Sequence, residues 1–123
     1  MMDAEVRGRI AHHAGDAAEQ QVARYYRQQG YDILARRWRG ASGEIDLILR
    51  DTATVVFVEV KKGPSIARAA ERINVRQMQR IMMSAQEFLA DQPSGALTDM
   101  RFDAALVDAQ GAFEIVENAF GGD

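Results

Sequence analysis

Residues 43–61 read GEIDLILRDTATVVFVEVK, and this stretch decides the fold. Glu44 and Asp46 stand two apart, so in a strand their side chains leave the same face. Glu59 and Lys61 repeat that spacing. Val55, Val56, Phe57, Val58 and Val60 form a nearly continuous β-branched and aromatic run, the pattern of a strand buried on both faces inside a sheet. A turn at Arg50-Asp51-Thr52-Ala53 makes the two halves a hairpin in which Asp46 and Glu59 meet, with Lys61 one step further along. Charges at the end of a buried strand are costly unless paired or metal-bound. Converging carboxylates beside an ammonium make a hard-cation site with its own positive group, the arrangement that metal-assisted phosphodiester hydrolysis needs. The same residues also fit a structural ion pair.

Composition bounds the rest. A chain of 123 residues supports one domain, and 47 % apolar with 27 % charged residues is the profile of a soluble globular protein. The absence of cysteine excludes disulfides, thiolate metal sites and a cysteine nucleophile. No apolar stretch reaches membrane-spanning length, and an N-terminus with Asp3 and Glu5 has no signal-peptide core, so a cytoplasmic protein without a membrane partner is expected. A net charge of −3 argues against a protein that coats nucleic acid, but the charges are segregated. Lys61, Lys62, Arg68, Arg72, Arg76 and Arg80 follow the acidic hairpin against the single acid Glu71, and Arg36, Arg37 and Arg39 precede it. An acidic centre flanked by cations suits a polyanion gripped from its sides. Ordinary solvated faces would look the same.

Residues 1–10 show no periodic pattern and are expected to be a flexible start to a single domain over 11–120. Ala14, Ala17, Ala18, Val22, Tyr25, Tyr26 and Gln29 lie at helical spacing and predict a helix over 11–29, stopped by Gly30. Residues 31–39 alternate loosely and predict a strand ahead of the hairpin strands 43–50 and 54–61. Pro64 cannot continue a central strand, and 65–73 reads either as an extra helical turn or as a loop. Asn74 and Gln77 have capping-box spacing. Met78, Ile81, Met82, Ala85, Phe88 and Leu89 form a stripe that predicts a helix over 75–90. Strands are predicted at 101–107 and 112–117, joined by a turn at 108–111.

A helix between the third and fourth strands lets that pair run parallel. The order αβββαβ(β) gives an α/β sandwich with a mixed central sheet. Val56, Val58, Val60, Ile45, Leu47 and Leu49 are expected beneath a helix, in one apolar layer with Ile81 and Phe88. Met78, Met82 and Met83 are expected to fill the core, and Tyr25 and Tyr26 to pack the first helix on the sheet.

The stretches AEQQVARYYRQQGYDILARRWRGASGEIDLI, VVFVEVK, RIMMSAQEFL, RFDAALV and ENAF together resemble the YraN-like family of small bacterial proteins, from about Gly15 to Phe120. The resemblance implies a restriction-endonuclease-like α/β/α sandwich, similar in arrangement to Holliday-junction resolvases. It also implies a metal-dependent endonuclease of the PD-(D/E)xK type, using Mg²⁺ or Mn²⁺ on DNA. Carried over by position, Asp46 and Glu59 become the metal carboxylates and Lys61 the lysine that holds the attacking water or steadies the developing charge. Glu19 becomes the helix glutamate that completes the metal site. Ile45 stands where the motif's proline would be. Lys62-Gly63 replaces the Thr-Arg common after the motif lysine, and Gln77 stands where lysine is usual. Both differences bear on substrate affinity more than on metal binding.

Arg36, Arg37, Arg39, Lys62, Arg76 and Gln77 are the candidate nucleic-acid contacts. Several residues keep a second reading: Glu19 lies three after Asp16 and could cap its helix, and Glu44 could support Asp46 or pair with an arginine. Trp38 could stack on a base or join the core. His12 and His13, adjacent on a helix, diverge by about 100° and cannot chelate one ion together. A non-catalytic nucleic-acid- or protein-binding module is the alternative function. A homodimer would suit cleavage of two strands.

Overall fold

Ala18, Val22, Ala23 and Tyr26 recur at helical intervals and bury one stripe of the first helix. In the computed structural model, which describes residues 17–120, this helix, α1, occupies the described residues through 28. The segment 1–10, His12, His13, Asp16 and the expected helical residues 11–16 lie outside the described residues. Gly30 stops α1 as the sequence predicts, at φ +94°. The Tyr31 N–H donates to the Tyr26 carbonyl and the Gly30 N–H to the Arg27 carbonyl, both at 3.0 Å. These are the two bonds of a Schellman stop, which needs a left-handed residue at the glycine position.

Three antiparallel strands follow: β1 (Asp32–Arg39), β2 (Glu44–Asp51) and β3 (Thr54–Lys62). Two helices, α2 (Ile66–Glu71) and α3 (Val75–Ala90), carry the chain to β4 (Asp99–Val107), which runs parallel to β3. The last strand, β5 (Phe113–Val116), pairs antiparallel with β4, giving a five-stranded mixed sheet in the order β1-β2-β3-β4-β5. The ambiguous segment 65–73 contains α2, capped by Ser65, whose hydroxyl accepts the Arg68 N–H. The Asn74 side chain accepts the Gln77 N–H at 2.8 Å, so α3 begins where predicted. No helix among the described residues is long and apolar enough to cross a membrane.

The sheet is covered on both faces, which makes the molecule an α/β/α sandwich of the restriction-endonuclease-like arrangement. Val22, Ala23 and Tyr26 of α1 pack on Leu47, Leu49, Val56, Val58, Ala105 and Val107. On the opposite face Ile81, Ala85 and Leu89 of α3 pack on Ile45, Ile48, Val55, Phe57 and Phe102. Ala69 of α2 joins this second side against Ala104 and Leu106.

Two expectations are corrected. Ile45, Ile81 and Phe88 belong to the α3 layer, not to the layer of Val56, Val58 and Leu47. Strand alternation is broken at Arg37, whose φ is +49°, and across from it at Asp46, because Arg36 pairs with Leu47 and Trp38 with Ile45. The break swings both Trp38 and Ile45 into the α3 layer. Met82 and Met83 are exposed, not core filling: α3 buries the stripe of Ile81, Ser84, Ala85 and Leu89. Tyr26 is buried and meets Tyr25 and Tyr31 edge-on, so the tyrosines do pack α1 on the sheet.

Candidate active site

The β2–β3 ladder runs from Asp51 opposite Thr54 to Leu47 opposite Val58 and stops there. A parting pair of strands leaves backbone donors to be satisfied by other means. Here the Asp46 side chain serves: its Oδ2 accepts the Val60 N–H at 2.7 Å. The side chain is therefore fixed at the mouth between the strands. Glu59 leaves β3 at the same level and is 6 % exposed. Asp46 and Glu59 come together at one cavity, close enough for the charge of Asp46 to act on Glu59.

Lys61 reaches Glu59. Its Nζ lies 3.3 Å from Glu59 Oε1 and donates to Gln77 Oε1 at 2.6 Å. The Gln77 amide donates in turn to Glu59 Oε1 at 3.2 Å. Gln77 thus turns inward and ties lysine and glutamate together rather than standing out toward a ligand. The other Glu59 oxygen, Oε2, is buried and meets no donor.

Electrostatics follow from this geometry. Burial, then the adjacent Asp46 charge, pushes the Glu59 carboxyl up to about 8, although Lys61 opposes the shift. Burial also raises the Asp46 carboxyl, while the Val60 N–H pulls it back. Glu19 stands on α1 across a cavity of about 230 Å³ that it shares with Asp46, Lys61, Lys62 and Arg72. Its Oε2 accepts from Arg37 Nε at 2.8 Å. Burial raises its carboxyl too, with Arg37 opposing and the Asp46 charge adding to the rise. A second cavity, about 240 Å³, opens past Asp46 between Glu44, Glu59, Gln77 and Arg80.

Among the described residues no three acidic or histidine side chains stand close enough together to hold one ion. The fold brings Asp46 and Glu59 to one point and leaves Glu19, the third predicted ligand, bonded to Arg37. A carboxylate pair with one oxygen lacking a donor still fits a small divalent cation. Magnesium is commonly held by one or two carboxylates and completes its shell with water.

The remaining candidates divide. Arg39 pairs with Glu44 at 3.1 Å, so Glu44 takes the arginine-partner reading. Arg37 is turned to Glu19, and Arg36 is exposed on β1. Arg76 stands exposed on α3, and Lys62 is half-buried at the end of β3. Trp38 packs edge-on against Phe88, 5.5 Å between centroids, and so joins the core.

Sequence reasoning missed a second polar centre. Asp103 is fully buried and accepts from Tyr26, Arg101 and the Asn118 N–H. A lone acid inside the apolar run FDAALV was its available signal.

Fold and site define an α/β/α-sandwich protein in which two carboxylates and a lysine converge where the central strands part. Residues 18–107 match the model of a family described as "Uncharacterised protein family UPF0102". A UPF0102 protein of Cereibacter sphaeroides (strain KD131) is 58% identical over 113 residues, 92% of this chain and 97% of that protein. One from Ruegeria pomeroyi is 58% identical over 115 residues, 94% of each chain. Another, from Dinoroseobacter shibae, is 46% identical over 114 residues, 93% of this chain and 85% of that protein. The chain belongs to UPF0102, in agreement with its resemblance to the YraN-like proteins.

Proposed function

We propose that this protein is a metal-dependent endonuclease that hydrolyses phosphodiester bonds in DNA, with branched or otherwise structured DNA as the class to test first. One observation carries the reading. A buried carboxyl group, Glu59, and a half-buried one, Asp46, meet from adjacent strands, with the Lys61 ammonium 3.3 Å from Glu59. A structural ion pair needs one acid and one base; the second acid adds repulsion that only a proton or a cation relieves.

The scissile phosphate is anionic, so hydroxide attack requires charge neutralisation. A divalent ion such as Mg²⁺ or Mn²⁺, when bound by Asp46 and Glu59, supplies that neutralisation and acidifies water. Glu59 must give up its proton for the pair to take a cation, so binding strengthens as pH rises toward and past about 8. Lys61 places a positive donor beside the pair, where it steadies charge developing on the phosphate. Gln77 holds Lys61 there at 2.6 Å. Cutting both strands of a duplex would call for two copies related by symmetry.

The test is a cleavage assay on branched, flapped and single-stranded DNA with Mg²⁺ and Mn²⁺, run beside Asp46→Ala and Lys61→Ala. Asp46→Ala should lose cation affinity and cleavage together. Lys61→Ala should keep cation binding, read as cation-induced thermal stabilisation, and cleave roughly 10²–10³-fold more slowly. Wild-type protein that binds these DNAs and cuts none with either metal defeats the proposal. A non-catalytic binding module is then the reading, favoured by the separation of Glu19 from the carboxylate pair.

A further inference from the structure

A larger cavity lies beside the candidate site. Its volume is about 520 Å³, within the range that holds a small ligand. It opens at the end of the parallel β3–β4 pair, between the start of α1 and the turn over 108–111. Lys62 and Arg72 line both this cavity and the one that contains Asp46, so the two cavities adjoin at two cations.

Among the described residues neither cation is paired with a carboxylate; the ion pairs there belong to other arginines and to Lys61. Asp108 also lines the cavity, but its Oδ1 is spent within its own turn, accepting the Gln110 and Ala112 N–H groups at 2.9 Å each. Beyond the cations Ala17, Ala18, Pro64, Val107 and Ala109 make the lining mostly apolar, and the one further polar side chain, Gln21, donates its amide to the Gly111 carbonyl at 2.6 Å. Two cations beside a mostly apolar lining match a phosphate followed by a sugar and base. A base pair, let alone a duplex, does not enter a space of this size.

We infer that this cavity is a nucleotide subsite that takes the single-stranded segment flanking the scissile position, with its phosphate between Lys62 and Arg72. The inference rests on the nucleic-acid part of the proposed function and is independent of turnover. It makes a single-stranded arm, rather than a fully paired duplex, the structure the protein selects.

The experiment measures binding of labelled single-stranded DNA, single-stranded RNA and blunt duplex DNA by fluorescence anisotropy, in EDTA and across a salt series. Each phosphate contact on a single strand contributes about 0.7 to the slope of log affinity against log salt. Because the two cations share one phosphate, Lys62→Ala/Arg72→Ala should flatten the single-strand slope by roughly 0.7 and leave the duplex slope unchanged. The charge-conserving pair Lys62→Arg/Arg72→Lys should restore it. Arg50→Ala, whose arginine pairs with Asp32 at the far end of β2, should bind as wild type. Comparing DNA with RNA shows which strand the subsite takes.

An unchanged single-strand slope in the double alanine variant, or an equal loss on duplex, overturns the subsite. If wild type cleaves while that slope is unchanged, only the subsite falls. If the slope changes and nothing is cleaved, the subsite stands and the nuclease reading falls.

Discussion

A carboxyl group that is 6 % exposed and faces a second carboxyl must be stabilised by something, and for Glu59 the available partners are Lys61, Gln77 and a proton. Its folded-state pKa, about 8, lies above the ordinary 4.5, so the folded protein holds the proton more tightly than the unfolded chain does. The resulting stabilisation is fully present below pH 4.5 and is lost progressively as pH rises through about 8. Without metal, unfolding free energy should therefore decline between those limits by a few kcal/mol, at about 1.4 kcal/mol per pH unit at most. Glu59→Gln removes the titrating group and should flatten the decline. Added Mn²⁺ should stabilise the wild type at pH 8 and do so less for the variant. Denaturant unfolding in EDTA at a series of pH values checks this. Parallel pH profiles for the two proteins would show that Glu59 is not the buried acid described here.

Elements whose causes are local were legible in the sequence. The helix α3 spans Val75–Ala90 as predicted because its cap at Asn74 and its apolar stripe are contiguous. β2 and β3 were recoverable from their two-residue period and the buried valine run. What escaped depends on partners far along the chain. Glu19 looked free to complete a metal site, yet its Oε2 is taken by Arg37, eighteen residues away. Gln77 is a candidate nucleic-acid contact by sequence, and its bonds to Glu59 and Lys61 on β3 have no signal in its own segment. Ile45 was assigned to the wrong layer because the break in alternation at Arg37 and Asp46 has no signature in residue type. Placement of α2 depends instead on a close backbone approach at Gly63. A Cβ on Gly63 would sit 2.7 Å from the Ala69 nitrogen and 3.1 Å from the Ala69 Cα, both backbone atoms that cannot rotate away. Gly63→Ala should push α2 off the sheet where Ala69 packs on Ala104 and Leu106. The expected cost is about 1–3 kcal/mol, read as a lower urea midpoint; an unchanged midpoint would mean that α2 is not held by this close approach.

Across the whole molecule, a polar tie runs through the layers beside the apolar ones. Asp103 on β4 accepts from Tyr26 on α1 at 2.8 Å, from Arg101 Nε at 2.8 Å and from the Asn118 N–H at 3.0 Å. Arg101 continues the network to the Tyr31 hydroxyl at 2.9 Å and lies over the Tyr31 ring. The network joins helix, sheet and C-terminal turn on the α1 side of β4, whereas Asp46, Glu59, Lys61 and Gln77 gather on the α3 side. Removing one partner of a buried ion pair costs more than the pair contributes, because the survivor is left desolvated and unpaired. Asp103→Ala strands the Arg101 guanidinium, the Tyr26 hydroxyl and the Asn118 N–H, and should destabilise by about 3–5 kcal/mol. Tyr26→Phe removes a donor and leaves Asp103 the Asn118 N–H and both Arg101 bonds, from Nε at 2.8 Å and Nη2 at 2.9 Å, so its cost should be about 1–2 kcal/mol. Arg101→Met/Asp103→Leu replaces both charges by apolar groups and should be less destabilising than Asp103→Ala alone. A double-mutant cycle on urea unfolding measures the coupling. Additive losses at Arg101 and Asp103 would show that the buried acid is held by its surroundings generally and not by this arginine.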